Sequence, residues 1–169
     1  MKTLLIAVLL SSFSFAAFVP GKSPAWKKLA AFVGTWKSQG QLLDTPMSKR
    51  KVITATTTCR FSPKGDYLIC DQLNDAPAHQ LTIYSASRDG NYAASTIGDA
   101  GMEAHSMKLS LAGNTWTYSS DYTANGKTTR FRTTNTFTSP DIYTFEAQYS
   151  EDGQHWTTMA QGTSRRIRQ

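Results

Sequence analysis

Leu29-Ala30-Ala31-Phe32-Val33-Gly34-Thr35-Trp36-Lys37-Ser38-Gln39-Gly40 is the stretch that decides the fold. Its first half, with Trp26 just upstream, is apolar at close to helical spacing, and Ser23-Pro24 ahead of it supplies an N-cap and a first-turn proline. This reads as a short N-terminal helix that plugs one end of a barrel. Gly34 stops it, and Gly34-x-Trp36 opens a segment of alternating polar and apolar residues. The chain ends on Gly162-Thr163-Ser164-Arg165-Arg166. A barrel closed by pairing its first strand with its last brings Trp36 against one of those arginines, and Arg165 is the expected partner.

Between these two ends the pattern has period two. Strands are expected at about 34–43, 50–61, 67–74, 79–87, 91–98, 103–111, 114–123, 127–138, 141–150 and 154–167. The breaks between them carry turn chemistry, most clearly Asn125-Gly126 and Asp152-Gly153, because a two-residue hairpin turn needs φ > 0 at its central positions. Short connections favour an up-and-down meander over a Greek key, which needs a long return. The expected fold is all-β, an antiparallel closed barrel of about eight to ten strands, forming a single domain over 18–169.

The leading residues belong to another function. Lys2, the apolar run Thr3 to Leu10 and Ser14-Phe15-Ala16 have the three parts of a secretory signal peptide, with cleavage expected at Ala16-Ala17, so 1–17 is read as removed. The apolar run is too short to span a bilayer and no cysteine follows it, so the product is expected to be exported, periplasmic or secreted, and not membrane-anchored. In an oxidising compartment the two cysteines, Cys59 and Cys70, read as a disulfide. They flank the turn Pro63-Lys64-Gly65-Asp66, and a four-residue loop there sets them directly opposite each other.

The net charge of +6 gathers partly at Lys49-Arg50-Lys51 and Arg165-Arg166-Arg168. These are read as solvated strand ends, and export argues against nucleic acid as a partner.

Phe32-Val33-Gly34-Thr35-Trp36 near the start and Gly162-Thr163-Ser164-Arg165 at the end resemble the calycins, the lipocalin-like barrels, in which a Gly-x-Trp strand and a late arginine close one end. A more specific resemblance is to bacterial lipocalin-like proteins of unknown function, of the DUF1579 type. It rests on Trp26-Lys27-Lys28-Leu29, on Thr136-Phe137, on Asp141-Ile142-Tyr143-Thr144-Phe145-Glu146, and on Ser150-Glu151-Asp152-Gly153-Gln154-His155-Trp156. The resemblance implies a closed barrel and supplies no reaction.

Chemistry is sparse. His79, His105 and His155 have no metal-ligand spacing, and no Gly-x-Ser-x-Gly, phosphate loop or dinucleotide fingerprint occurs. A related calycin family, the nitrobindins, binds haem through one late histidine, but the residues around His155 do not otherwise match it, and no cofactor is expected. Glu146 stands mid-strand among aromatics. Facing inward, it would pair with Arg130 or Arg132 and give an apolar cavity a polar anchor. Alternation groups aromatics on single faces but leaves open which face points inward. The expected function is non-catalytic binding of a small, largely apolar molecule, with Trp116, Tyr118, Phe131, Phe137, Tyr143, Phe145, Glu146 and Trp156 as the candidate lining. A barrel enzyme acting on a lipid-like substrate and a filled barrel with a structural or interaction role are the alternatives.

Overall fold

The computed structural model describes residues 24–75, 78–87, 89–98 and 101–167, the side chains of 101–105 excepted. The expected signal peptide and the Ser23 cap lie outside the described residues. A helix α1 (Pro24–Leu29) continues as a 3-10 turn (Ala30–Phe32). Ten strands follow: β1 (Gly34–Leu42), β2 (Lys51–Phe61), β3 (Leu68–Asn74), β4 (His79–Ala86), β5 (Tyr92–Gly98), β6 (Gly101–Ala112), β7 (Thr115–Ala124), β8 (Lys127–Ser139), β9 (Ile142–Ser150) and β10 (Thr157–Ile167). Each strand pairs antiparallel with its neighbour in sequence, and β1 pairs with β10 to close the barrel. The β7–β8 connection is the expected hairpin, with φ of 51° at Asn125 and 75° at Gly126.

An isolated helix of this length does not hold itself together in water. Burial holds it. Trp26, Leu29 and Phe32 turn into one end of the barrel, while Lys27 and Lys28 stay exposed. The Phe32 ring is the hub, 5.9 Å from Tyr84, 5.4 Å from Trp116, 5.3 Å from Phe137 and 6.3 Å from Tyr143. Such ring pairs add roughly 0.5–1.5 kcal/mol each beyond the area they bury.

The closure differs from the expectation by one residue. Arg166, not Arg165, lies over Trp36, its guanidinium carbon 4.2 Å from the ring centroid. Register is the reason: Trp36 is directly opposite Arg166, so both point inward, whereas Arg165 faces Lys37 and is exposed. Arg166 also donates to the Val33 and Ala31 carbonyls at the end of the 3-10 turn, to the Pro140 carbonyl at 3.0 Å and to the Asp141 carboxylate at 3.0 Å. Trp36 Nε1 donates to the Phe32 carbonyl at 2.8 Å. Gly34 has φ +118° and leaves room for the guanidinium, since a Cβ there would fall 2.8 Å from Arg166 Nη1. The Gly-x-Trp…Arg pattern is thus one clasp that ties plug, first strand, last strand and the β8–β9 turn.

Cys59 and Cys70 are direct partners across β2 and β3 and form a disulfide, with Cα atoms 4.0 Å apart. The Ser62 amide donates to the Tyr67 carbonyl at 2.8 Å, which closes the expected loop over 63–66. In the chain-entropy account a loop this short is worth about 2–3 kcal/mol. Reduction is therefore expected to lower the melting temperature by roughly 4–10 °C. A scan with and without reductant checks this, and an unchanged midpoint contradicts it.

Candidate functional site

The barrel interior above the plug is hollow, with a cavity of about 310 Å³. Its floor is aromatic: Phe32, Trp36, Tyr84, Tyr118, Tyr143 and Phe145 all border it, beside the Cys59–Cys70 disulfide. Its wall mixes the apolar side chains of Ile53, Ala55 and Met107 with hydroxyls and amides. The polar groups come from the positions of β2 to β5 and of β8 and β10 that share a face with the core residues: Thr57, Gln72, Thr82, Thr96, Asn135 and Ser164. Among the described lining residues none carries a formal charge.

The wall groups mostly satisfy one another. Thr57 donates to Gln72 at 3.1 Å, Gln72 to Asn74 at 3.0 Å, and Asn74 to the Ala78 carbonyl at 3.2 Å. The hydroxyls of Thr82 and Thr96 are 3.0 Å apart, and those of Ser38 and Ser164 are 2.5 Å apart. Asn135 Nδ2 donates to the Tyr118 hydroxyl at 3.4 Å. Two glycines shape the β1–β10 side. Gly40 and Gly162 face each other across the two strands, and the Phe145 ring lies over the space their side chains would take.

Burial pushes the Tyr84 phenol up to about 12, Tyr118 well above its ordinary range, and Tyr143 upward as well. The fold therefore favours the neutral phenols. Their contribution is intact below pH about 10, the ordinary phenol value, and is lost as pH rises from there through 12. The urea midpoint is expected to fall between pH 10 and 12 together with the appearance of phenolate absorbance. A midpoint that holds constant while these tyrosines ionise contradicts this.

The candidate residues separate into three groups. Tyr118, Tyr143 and Phe145 border the cavity. Trp116 and Phe137 pack behind the floor against Phe32, and Phe131 shares the inward face of β8 without reaching the cavity. Glu146 and Trp156 are corrections. Glu146 follows Phe145 and precedes Ala147 on β9, so period two turns it outward, where it accepts from Thr158 at 2.7 Å and Gln148 at 3.2 Å. Arg132, a partner expected for it, instead donates to Gln148 at 2.6 Å and lies over the Trp156 ring at 4.0 Å on the outer surface.

His155 does not border the cavity. Its side chain is 89% exposed and its Nδ1 is 2.6 Å from Asp152, a bond that holds the imidazole above its ordinary range and Asp152 well below the carboxylate range. A haem in the barrel would find no axial ligand there. The side chain of His105 lies outside the described residues. Among the described residues no three His, Cys, Asp or Glu side chains gather as a metal site would need, and no helix is long and apolar enough to cross a membrane.

The polar lining was missed. Gln72 and Asn74 point inward while their neighbour Leu73 is 60% exposed. The signal in the sequence was the alternation itself, read with polar residues inside.

Residues 21–166 match the family described as "Protein of unknown function (DUF1579)". The chain belongs to the DUF1579 family. No curated protein matches it. Among solved structures, the DUF1579 barrel is similar to Rv2717c from M. tuberculosis, at 15% identity and TM-score 0.62, over 86% of this chain and 99% of that one. It is also similar to the S-type phycobiliprotein lyase CPES from Guillardia theta, at 8% identity and TM-score 0.51, over 85% and 92% of the two chains. At identities this low the likeness is one of barrel fold alone.

Proposed function

We propose that this protein is an exported, non-catalytic carrier or sensor that binds one small neutral molecule inside its barrel. The observation that carries the reading is the 310 Å³ cavity with an aromatic floor and a wall rich in hydroxyls and amides, its described lining residues carrying no formal charge. Pockets for small molecules begin at about that size and combine apolar surface with a few fixed polar groups. The wall makes the ligand more polar than the sequence led one to expect: an apolar or aromatic body with hydrogen-bonding edges. An open cavity is also a poor fit to a filled barrel. Among the described lining residues the tyrosines are the titratable groups, and their raised phenols suit hydrogen-bond donation better than proton transfer at neutral pH. The disulfide and the signal-like residues 1–17 support export. A neighbour called a phycobiliprotein lyase is in keeping with small-molecule handling on this fold.

Calorimetric titration at pH 7 with 2-naphthol and 2-naphthoate, which share a ring system and differ in charge, tests the reading. The neutral naphthol is expected to bind at least roughly tenfold more tightly, because the described lining residues offer a carboxylate no cationic partner. Equal binding, or preference for the anion, overturns it.

A further inference from the structure

The cavity has two chemically different ends. β3 and β4 show the change rung by rung: Leu68 is opposite Tyr84 beside the plug, Cys70 is opposite Thr82, and Gln72 is opposite Gln80. Asn74 follows one step further on and closes β3. Leu68 is fully buried, whereas Gln72, Asn74 and Gln80 are partly buried and border the cavity. β3 ends at Asn74 and β4 begins at His79, so these three carboxamides gather at the end of the barrel away from Phe32 and Trp36. Two of them are already oriented. Gln72 accepts from Thr57 at 3.1 Å and donates to Asn74 at 3.0 Å, and Asn74 donates to the Ala78 carbonyl at 3.2 Å. A carboxamide has two N–H donors and two acceptor lone pairs, and this chain uses one of each.

A ligand lying along the barrel axis meets rings at one end and amides at the other. We infer that the cavity takes a neutral glycoside, its apolar aglycone on the aromatic floor and its sugar hydroxyls among Gln72, Asn74 and Gln80. A hydroxyl both donates and accepts, so two adjacent hydroxyls meet a carboxamide as a matched pair, one giving to its oxygen and the other receiving from its NH₂. Three carboxamides on adjoining rungs therefore suit a vicinal polyol. A lone alcohol engages one of them, and a carboxylate only accepts and finds no cationic partner among the described lining residues. The volume of about 310 Å³ is at the lower limit for ligand pockets, which restricts the molecule to a small aglycone and a single sugar. Gln72 and Gln80 are directly opposed on paired strands, so the sugar end is built before the ligand arrives. This inference rests on the cavity being a ligand site and adds the ligand's class and orientation.

The test is calorimetric, with the intact protein at pH 7 and matched probes: the phenyl β-glycosides of glucose, galactose and mannose, and 2-phenoxytetrahydropyran, which keeps the aglycone and the ring acetal and lacks every sugar hydroxyl. At least one glycoside is expected to bind roughly tenfold or more tightly than the hydroxyl-free ether, because a site that hydrogen-bonds a hydroxyl rejects the analogue without it. Gln80→Leu is the first variant, since Gln80 takes no part in the hydrogen-bonded chain from Thr57 to Ala78. It is expected to collapse the glycoside-to-ether ratio toward unity and to leave the affinity for the ether nearly unchanged. Gln72→Leu, on the facing strand, gives a second measurement of the same ratio, and a melting transition shows that each variant folds. If the ether binds as tightly as every glycoside, or the variants keep the wild-type ratio, or they weaken the ether as much as the glycoside, the glycoside assignment falls while the cavity reading stands. If no probe binds, the cavity reading falls and the glycoside assignment with it.

Discussion

Arg166→Ala is expected to lower stability by about 3–5 kcal/mol, the range for removing one partner of a largely buried, hydrogen-bonded charge pair. The side chain is 22% exposed, and its partner Asp141 33%, so solvent screens the pair only in part. Truncation removes the cation–π contact with Trp36 and the hydrogen bonds to Ala31, Val33, Pro140 and Asp141. Two of those carbonyls end the 3-10 turn, and truncation takes the guanidinium donor from both. The plug, the β1–β10 seam and the β8–β9 turn should loosen together, and the melting temperature should fall by roughly 8–15 °C. Arg166→Lys keeps the charge but loses the planar fork, and should recover less than half of the difference. Arg165→Ala is the control: exposed and outward-facing, it should change stability by less than about 0.5 kcal/mol. Urea unfolding of the three variants decides the matter, and an Arg165→Ala more costly than Arg166→Ala contradicts the clasp.

The second large effect is expected from a single methyl group. A Cβ at Gly162 would fall 2.5 Å from the Phe145 Cζ, 2.4 Å from the Gln39 carbonyl oxygen and 2.6 Å from Gly40 Cα. The ring could turn aside. The two backbone atoms of β1 cannot move without opening the seam beside Arg166. Gly162→Ala is therefore expected to cost about 2–3 kcal/mol, near the upper end for overpacking. Adding Phe145→Ala relieves the ring clash and leaves the backbone clash, so the double variant should not return to the stability of Phe145→Ala alone. Chemical denaturation of the singles and the double gives the cycle. A Gly162→Ala barrel as stable as wild type contradicts the close approach.

The fold was legible because its signals are local. Alternation and turn residues mark the strands to within two or three residues, and the loop over 63–66 sets Cys59 against Cys70 without reference to any other part of the barrel. The choice between Arg165 and Arg166 was not local. It depends on the register of strands that lie 126 residues apart at the Ser38–Ser164 pair, and β10 carries a register shift between Thr158 and Ala160 that adjacent sequence does not announce.

Inside and outside were hard to read for a different reason, which is the cavity itself. A filled barrel would have put the apolar residues of β3 inward, whereas here Gln72 and Asn74 face the interior and Leu73 faces solvent. Threonines serve both faces, Thr57 inward and Thr56 outward. On β9 the aromatic face does point inward, so Tyr143 and Phe145 reach the site and Glu146 does not. Polar residues in a barrel interior look like a surface until the closure is known, and that ambiguity is the trace a hollow, polar-lined interior leaves in the sequence.

The most direct test of a hollow barrel built to bind is native mass spectrometry of the protein isolated without refolding from the cells that make it, then again with excess 2-naphthol. A Thr133→Trp variant, which fills the cavity from β8, is run beside it once its melting transition shows that it folds. The account predicts an added neutral mass on the wild type that vanishes on denaturation and is absent from Thr133→Trp. An adduct that the filled barrel retains, or no adduct on either protein in excess 2-naphthol, contradicts it.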